Sequence, residues 1–429
     1  MLIEFSVGNY RSFKDVVTLS MVAADEATGN DELDKNNVFK VNQNFSLLKS
    51  AAIYGANASG KSNLILALYF MQSFVINSSK LQITDKINLE KFRLSSETED
   101  KPSFFKIVFH LDNKIYEYSF EVTQERVISE GLSCTPKTRK TNIFSREKDI
   151  IKYSKSLLKG KDVKDLTKKN TLFLSIAAQF NDPLAGKILL WFSRLKIISG
   201  SQFENLRQLS LDYLSREPNL KNEIVFLIKK LDLSIKDMSI EVGRTSLDNF
   251  HKDIPDRVKN KEFRLDNYIY NSIETYHEKY DLEGRIIGLE SFQMNKHESR
   301  GTQKIFALLA PVLSALKKSE VLIIDELDSL LHPLMAIAII GLFNSKITNP
   351  KNAQLIFATH DVNLLSNQLF RRDQIWFTEK NRQEATDLYS LVEFDIDNNA
   401  SFEQDYIQGR YGAIPFIGDL SKVIGDYYG

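Results

Sequence analysis

The run Gly55-Ala56-Asn57-Ala58-Ser59-Gly60-Lys61-Ser62 constrains this chain more than any other stretch. It has the form G-x-x-x-x-G-K-[ST], and its flanks suit the motif. Ser50–Tyr54 is small and apolar, as a buried strand is, and Asn63–Leu68 begins a helical run. Strand, glycine-rich loop and helix together make a phosphate site. Gly55 and Gly60 let the backbone curl so that its N–H groups face a phosphate. The helix N-terminus adds a partial positive charge. Lys61 is expected to reach the β- and γ-phosphates, and the Ser62 hydroxyl to take one Mg²⁺ position. The alternative is a chance match at a glycine-rich turn, and the flanks argue against it.

The complement of such a site lies far downstream. Val321–Ile324 is a short apolar run suited to a buried parallel strand, and it ends in Asp325-Glu326. Carboxylates at the C-terminal edge of such a strand sit where α/β sheets bind ligands. Asp325 is expected to hold Mg²⁺ and Glu326 to orient the attacking water. A third strand, Leu355–Thr359, leads to His360-Asp361, and His360 at that tip is placed to sense the γ-phosphate. Glu298-Ser299-Arg300-Gly301-Thr302 precedes the apolar helix Ile305–Ala310 and offers a hydroxyl and N–H groups at a helix start. Two anion-suited helix ends in one chain make sense if two subunits pair head to tail. Ser299 and Gly301 of each would then cover the other's γ-phosphate.

This succession resembles the ABC-type ATPases of the RecF, SMC and Rad50 group, including its OLD-like branch. Leu327–Pro333 resembles the D-loop and the Leu-His-Pro after it, and Ile3–Lys14 resembles the group's first strand and Asn-aromatic-Arg-Ser-Phe corner. Arg371–Phe377 and Gly409–Phe416 are similar to the RloA / AbiL ATPases of bacterial phage-defence loci. The resemblance implies an α/β fold: a mixed-sheet ATPase head, a flanking antiparallel sheet and a compact helical insertion. It implies ATP and Mg²⁺ as ligands. Nucleotide contacts are implied for Arg11, Gly55, Asn57, Ser59, Gly60, Lys61, Ser62, Asn63 and Asp328. The signature departs from Leu-Ser-Gly-Gly-Gln, reading Glu-Ser-Arg-Gly-Thr. Gln179, at the polar end of the strand-like run Phe173–Gln179, is the candidate Q-loop residue at the metal; a surface glutamine is the alternative.

Composition adds exclusions. Lys plus Arg number 56 and Asp plus Glu 56, so no global field drives the chain towards DNA or a membrane. The single cysteine, Cys134, excludes an internal disulfide framework and agrees with a reducing cytosol. The start lacks the apolar core of a signal peptide, and stretches such as Met335–Ile340 are far below the ~18 residues of a membrane span. A cytoplasmic protein with no membrane partner is expected.

Four regions follow: 1–135 and 285–395 as the two parts of the head, 136–284 as a basic segment and mainly helical insertion, and 396–429 as a C-terminal extension. Residues 23–46 are polar and acidic and read as a loop. Residues 183–236 read as helical. Between Lys137 and Lys169 twelve basic residues face four acidic ones, a candidate DNA or RNA contact; a solvated or partner-docking face is the alternative. Beyond Phe394 about 35 residues remain, fewer than a fused Toprim nuclease domain requires.

Two functions are carried forward. The first is an ATPase that dimerises on ATP and acts as sensor or scaffold of an anti-phage complex. The resemblance implies a separately encoded effector for it, an RloB-type or Toprim-like nuclease. The alternative is a RecF- or SMC-like ATPase that clamps DNA.

Overall fold

The computed structural model describes residues 1–25, 30–42, 45–136, 139–157, 163–199, 203–231, 234–245, 268–397 and 400–415. β1 (Leu2–Gly8) and β2 (Val17–Ser20) are the opening strands. Part of the acidic stretch after them is a helix, not the expected loop. In α1 (Asp31–Asn37) the Asn30 side chain accepts from the N–H groups of Glu32 and Leu33, and Asp31, Glu32 and Asp34 occupy the first turn. Acidic residues there complement the helix dipole, so a polar composition is a helix start as much as a loop. β3 (Val38–Lys40) and β4 (Ser46–Leu48) pair antiparallel ahead of β5 (Ser50–Tyr54), which is buried throughout. α2 (Lys61–Asn77) follows the glycine-rich loop.

The next strands are β6 (Ser103–Leu111), β7 (Lys114–Val122), β8 (Val127–Thr135), β9 (Thr141–Glu147) and β10 (Ile150–Tyr153). Asp112 and Asn113 have φ of 49° and 58°, the left-handed pair that a two-residue hairpin turn needs. α3 (Phe173–Gln179) and α4 (Pro183–Ser193) lead to β11 (Leu195–Ile198), and α5 (Phe203–Arg216) and α6 (Asn219–Lys230) to β12 (Asp237–Thr245). β13 (Tyr268–Tyr280) and β14 (Ile286–Gln293) precede the short α7 (Met294–His297) and the long α8 (Arg300–Lys318). β15 (Val321–Ile324), α9 (Pro333–Asn344), β16 (Gln354–Ala358), β17 (Ile375–Lys380), β18 (Thr386–Ser390) and α10 (Phe402–Ile407) follow.

The architecture is the expected mixed α/β head. One six-stranded sheet has the order β11-β15-β16-β5-β17-β18, parallel except for β18. A seven-stranded antiparallel sheet has the order β10-β9-β8-β7-β6-β1-β2. Strand side chains alternate between faces. Ala51, Ile53, Ile323 and Ile356 join the core shared with the antiparallel sheet and α2, while Ala52, Tyr54, Ile324 and Phe357 join a second core with α8 and α9. Both faces of the parallel sheet are thereby covered, which is why its strands read as continuous apolar runs.

The described residues of 136–284 hold the helices α3 to α6 and, beside them, strands that belong to three sheets. They give β9 and β10 to the antiparallel sheet and β11 to the parallel one, and β12 and β13 form a three-stranded sheet with β14. A smaller core joins this sheet to α5, α6 and α8 through Leu214, Ile224, Ile228, Ile240, Phe306 and Leu309. The basic segment is correspondingly mixed. Lys137, Lys159 and Lys161 lie outside the described residues. Arg146 is buried, its guanidinium donating to the carbonyls of Lys148, Lys168 and Thr171 and standing 3.6 Å from Glu130. Lys148, Lys152 and Lys155 are exposed.

Glu130 also explains why Phe173–Gln179 is a helix and not the expected strand. Its carboxylate accepts from the backbone N–H groups of Phe173 and Leu174 and so caps α3 from a distant strand. Arg146→Leu should therefore destabilise the fold by about 3–5 kcal/mol, because it leaves the Glu130 charge buried without its cation. Chemical denaturation of the variant beside wild type checks this, and an unchanged midpoint would refute it.

Candidate functional site

Register builds the site. Ile324 pairs with Phe357 and Ala358 with Ile53, so β15, β16 and β5 end at one edge of the sheet. The loop after β5 leads into Lys61 at the start of α2, the loop after β16 carries His360, and the turn after β15 carries Asp325 and Glu326. Adjacent strands lie about 4.8 Å apart, so these three loops adjoin one another.

Within the glycine-rich loop Gly60 has φ 123°, and a Cβ there would strike the Thr386 side chain, so only glycine fits. Lys61 is 5 % exposed, and its Nζ donates to the carbonyls of Gly55 at 2.7 Å and Ala56 at 3.0 Å. Burial lowers its pKa to about 8, against the opposing pull of Asp325, Asp328 and Glu326. Asn57 and Ser62 are exposed, and Asn63 Nδ2 donates to Ser12 Oγ. The Ser59 hydroxyl is engaged with Thr378 at 2.6 Å, so its side chain serves the loop.

The acidic turn is shaped by a lysine that motif reading overlooked. Glu326 has φ 54°, a left-handed conformation costly for a residue with a Cβ. Lys304 Nζ, from the second turn of α8, donates to the carbonyls of Glu326 at 2.8 Å and Ser329 at 2.6 Å. Lys304 is 7 % exposed, and burial lowers its pKa to about 8 while Asp328, Glu326 and Asp325 raise it. A lysine five residues after Ser299 was the available signal, hidden because it reads as an ordinary helix cation.

Ser299 caps α8, its Oγ accepting from the Thr302 N–H at 3.1 Å. Ser299 and Arg300 are exposed, and a Cβ at Gly301 would stand 2.8 Å from the Leu330 carbonyl. The signature start and the Leu327–Pro333 turn of the same chain are therefore in contact. Asp328 Oδ2 accepts the His360 backbone N–H at 3.4 Å, and its buried Oδ1 has no hydrogen-bond partner among the described residues. Partial desolvation and then Lys61 lower the His360 pKa, so at pH 7 its imidazole is mainly neutral. The Asp325 and Asp328 carboxylates and the Ser62 hydroxyl are oxygen donors of the kind Mg²⁺ prefers, and the unpaired Asp328 oxygen faces no competing hydrogen bond.

Arg11 pairs with Glu90 at 2.9 Å, beside Ser12, which accepts from Asn63 at the start of α2. One sequence candidate is placed elsewhere. Gln179 is exposed at the end of α3, and Ser175 of that helix donates to the Val75 carbonyl. Val75 is about 21 Å along α2 from Lys61, at about 1.5 Å per residue. Gln179 therefore belongs to the far end of α2, away from Ser62 and Asp325.

Residues 50–366 match the AAA_21 family, described as "AAA domain, putative AbiEii toxin, Type IV TA system". The chain belongs to this family. No curated protein matches it. Among solved structures it is similar to the SMC head domain from Thermotoga maritima, with 13% identity, a TM-score of 0.41, and coverage of 92% of this chain and 99% of that one. Among the described residues no helix is long and apolar enough to cross a membrane.

Two outcomes follow for this P-loop ATPase domain. Phosphate binding favours charged Lys61, whose pKa in the free protein is about 8. Above pH 8 the free protein loses this proton and must regain it on binding. Affinity for ATP should then fall by up to about tenfold per pH unit, with proton uptake seen as a buffer-dependent binding enthalpy. A pH-independent affinity between pH 7 and 9.5 would contradict this. Lys304→Met should release the Glu326 turn and lower turnover by about 10²-fold while nucleotide binding is retained, as misplaced catalytic groups do. Single-turnover hydrolysis beside a binding titration measures both, and normal turnover would remove Lys304 from the mechanism.

Proposed function

We propose that the chain is the ATP-hydrolysing switch of a bacterial anti-phage system of the abortive-infection type. The observation that carries the chemistry is the shared carboxylate group. Asp325, Glu326 and Asp328 act electrostatically on Lys61 from the phosphate loop and on Lys304 from the Ser299 helix. One acidic turn thus joins the phosphate loop and the signature helix. The family's description, naming a toxin of a type IV toxin–antitoxin system, supports the defence setting.

In this reading Lys61 and the loop N–H groups bind the β- and γ-phosphates of ATP. Ser62 and Asp325 would hold Mg²⁺, which when bound supplies Lewis-acid stabilisation of phosphate charge. Glu326 orients and deprotonates the attacking water, and neutral His360 senses the γ-phosphate. Ser299 and Gly301 complete the site of a second copy in a head-to-tail dimer, and the exposure of Ser299 and Arg300 leaves them accessible for it. ATP-driven closure then controls a separately encoded effector, an RloB-type or Toprim-like nuclease. The exposed Lys148, Lys152 and Lys155 at the β9–β10 edge are the surface for any DNA or RNA contact.

Glu326→Gln tests the scheme. It should bind ATP, lose about 10²–10⁴ in turnover, and elute as a dimer with ATP and Mg²⁺. Lys61→Ala should bind no nucleotide and show no ATP-induced dimer. A Glu326→Gln protein that stays monomeric with ATP would remove the dimer from the scheme, and full hydrolysis would remove the role of Glu326.

A further inference from the structure

The loop that presents Lys61 is braced by two threonines on the C-terminal hairpin. β17 runs parallel to β5 with Phe377 beside Tyr54, so the next residue, Thr378, stands beside Gly55. Thr378 Oγ1 donates to the Tyr54 carbonyl at 3.3 Å, which leaves the Ser59 hydroxyl as the donor in the 2.6 Å contact between Ser59 and Thr378. On the other strand, Thr386 Oγ1 donates to the Ser59 carbonyl at 2.8 Å. The Thr386 backbone N–H donates to the Ser12 carbonyl at 2.7 Å, and Ser12 Oγ accepts from Asn63 at the start of α2. Thr378 and Thr386 are 0% and 2% exposed, so their hydroxyls have no water to fall back on.

The same hairpin sets where the loop must be glycine. A Cβ at Gly55 would strike the Thr378 carbonyl and hydroxyl, and one at Gly60 would strike Thr386. Both glycines and Ser59 between them are therefore in contact with two side chains about 320 residues further along the chain.

We propose that Thr378 and Thr386 are positioning residues for nucleotide binding: they hold the Gly55–Gly60 loop in the curvature that presents Lys61 and the backbone N–H groups. This rests on the reading of the loop as an ATP site. Neither threonine touches the acidic turn, so their loss acts on affinity and leaves the hydrolytic step alone.

The test is a titration of the full chain with a fluorescent ATP analogue and Mg²⁺, beside turnover at saturating ATP and thermal unfolding without nucleotide. Thr378→Val keeps the branched shape and removes the hydroxyl. It should raise the dissociation constant about tenfold, the cost of a buried hydroxyl left without its partner. Turnover at saturation should stay within about twofold, a split that separates binding from chemistry. Thr378→Ser should bind as wild type does. Thr386→Val should weaken binding in the same direction, and the double variant should fall short of the product of the two, since both act on one loop. A folded Thr378→Val that binds normally overturns the proposal, as does a Thr378→Ser as weak as the valine variant. A loss confined to nucleotide-free stability, or failure of both valine variants to fold, shows a purely structural brace and also overturns it. Wild type and Lys61→Ala are run alongside. If wild type does not bind the analogue the ATP reading itself fails; if it binds and Thr378→Val binds equally, only the positioning role fails.

Discussion

The parallel register of β15, β16, β5 and β17 is the constraint from which the site follows. β15, β16 and β5 are short and buried on both faces, so a slip of one residue would exchange the two cores as well as the loops. With the register in place, Lys61, His360 and Asp325 emerge from adjacent strand ends although they are separated by up to about 300 residues of chain. The precision comes from the sheet.

Buried charge is the second organising element. Lys61 and Lys304 are each almost fully covered, and desolvation outweighs the attraction of the same three carboxylates in lowering their pKa values. Such cations persist because carbonyl oxygens receive them, from Gly55 and Ala56 in one case and from Glu326 and Ser329 in the other. The second pair has the larger mechanical consequence. It ties the helix begun by Ser299 to the left-handed backbone of Glu326. A movement of that helix is thereby a movement of the residue proposed to handle water.

Away from the site the same rule of distant partners recurs. Glu130 on β8 caps α3 and is countered by Arg146 on β9, so an element that looked like a strand is a helix and a residue that looked like surface charge is core. β18 and the turn around Tyr411 close over the sheet edge beside β17, the Tyr389 hydroxyl donating to the Tyr411 carbonyl. C-terminal residues therefore buttress the loop that the N-terminal third supplies.

What was legible in the chain were features whose cause is local. Gly55–Ser62 needs its glycines, its lysine and its flanking strand and helix within a few residues of each other. The Val321–Ile324 and Leu355–Ala358 strands announce themselves by unbroken apolar character, and the β6–β7 turn by Asp112-Asn113. The roles of Glu130, Lys304, Thr378 and Thr386 were not legible, nor was the sheet formed by β12, β13 and β14. Gln179 was misplaced for the same reason. Each depends on a partner tens to hundreds of residues away, and a hydrogen bond or a cap leaves no periodic trace in sequence. The local pattern determined that this chain has a phosphate loop and a carboxylate-tipped strand. Only tertiary packing decided which lysine shapes the acidic turn and which threonines hold the loop, because burial turns an ordinary polar side chain into one that must find its partner.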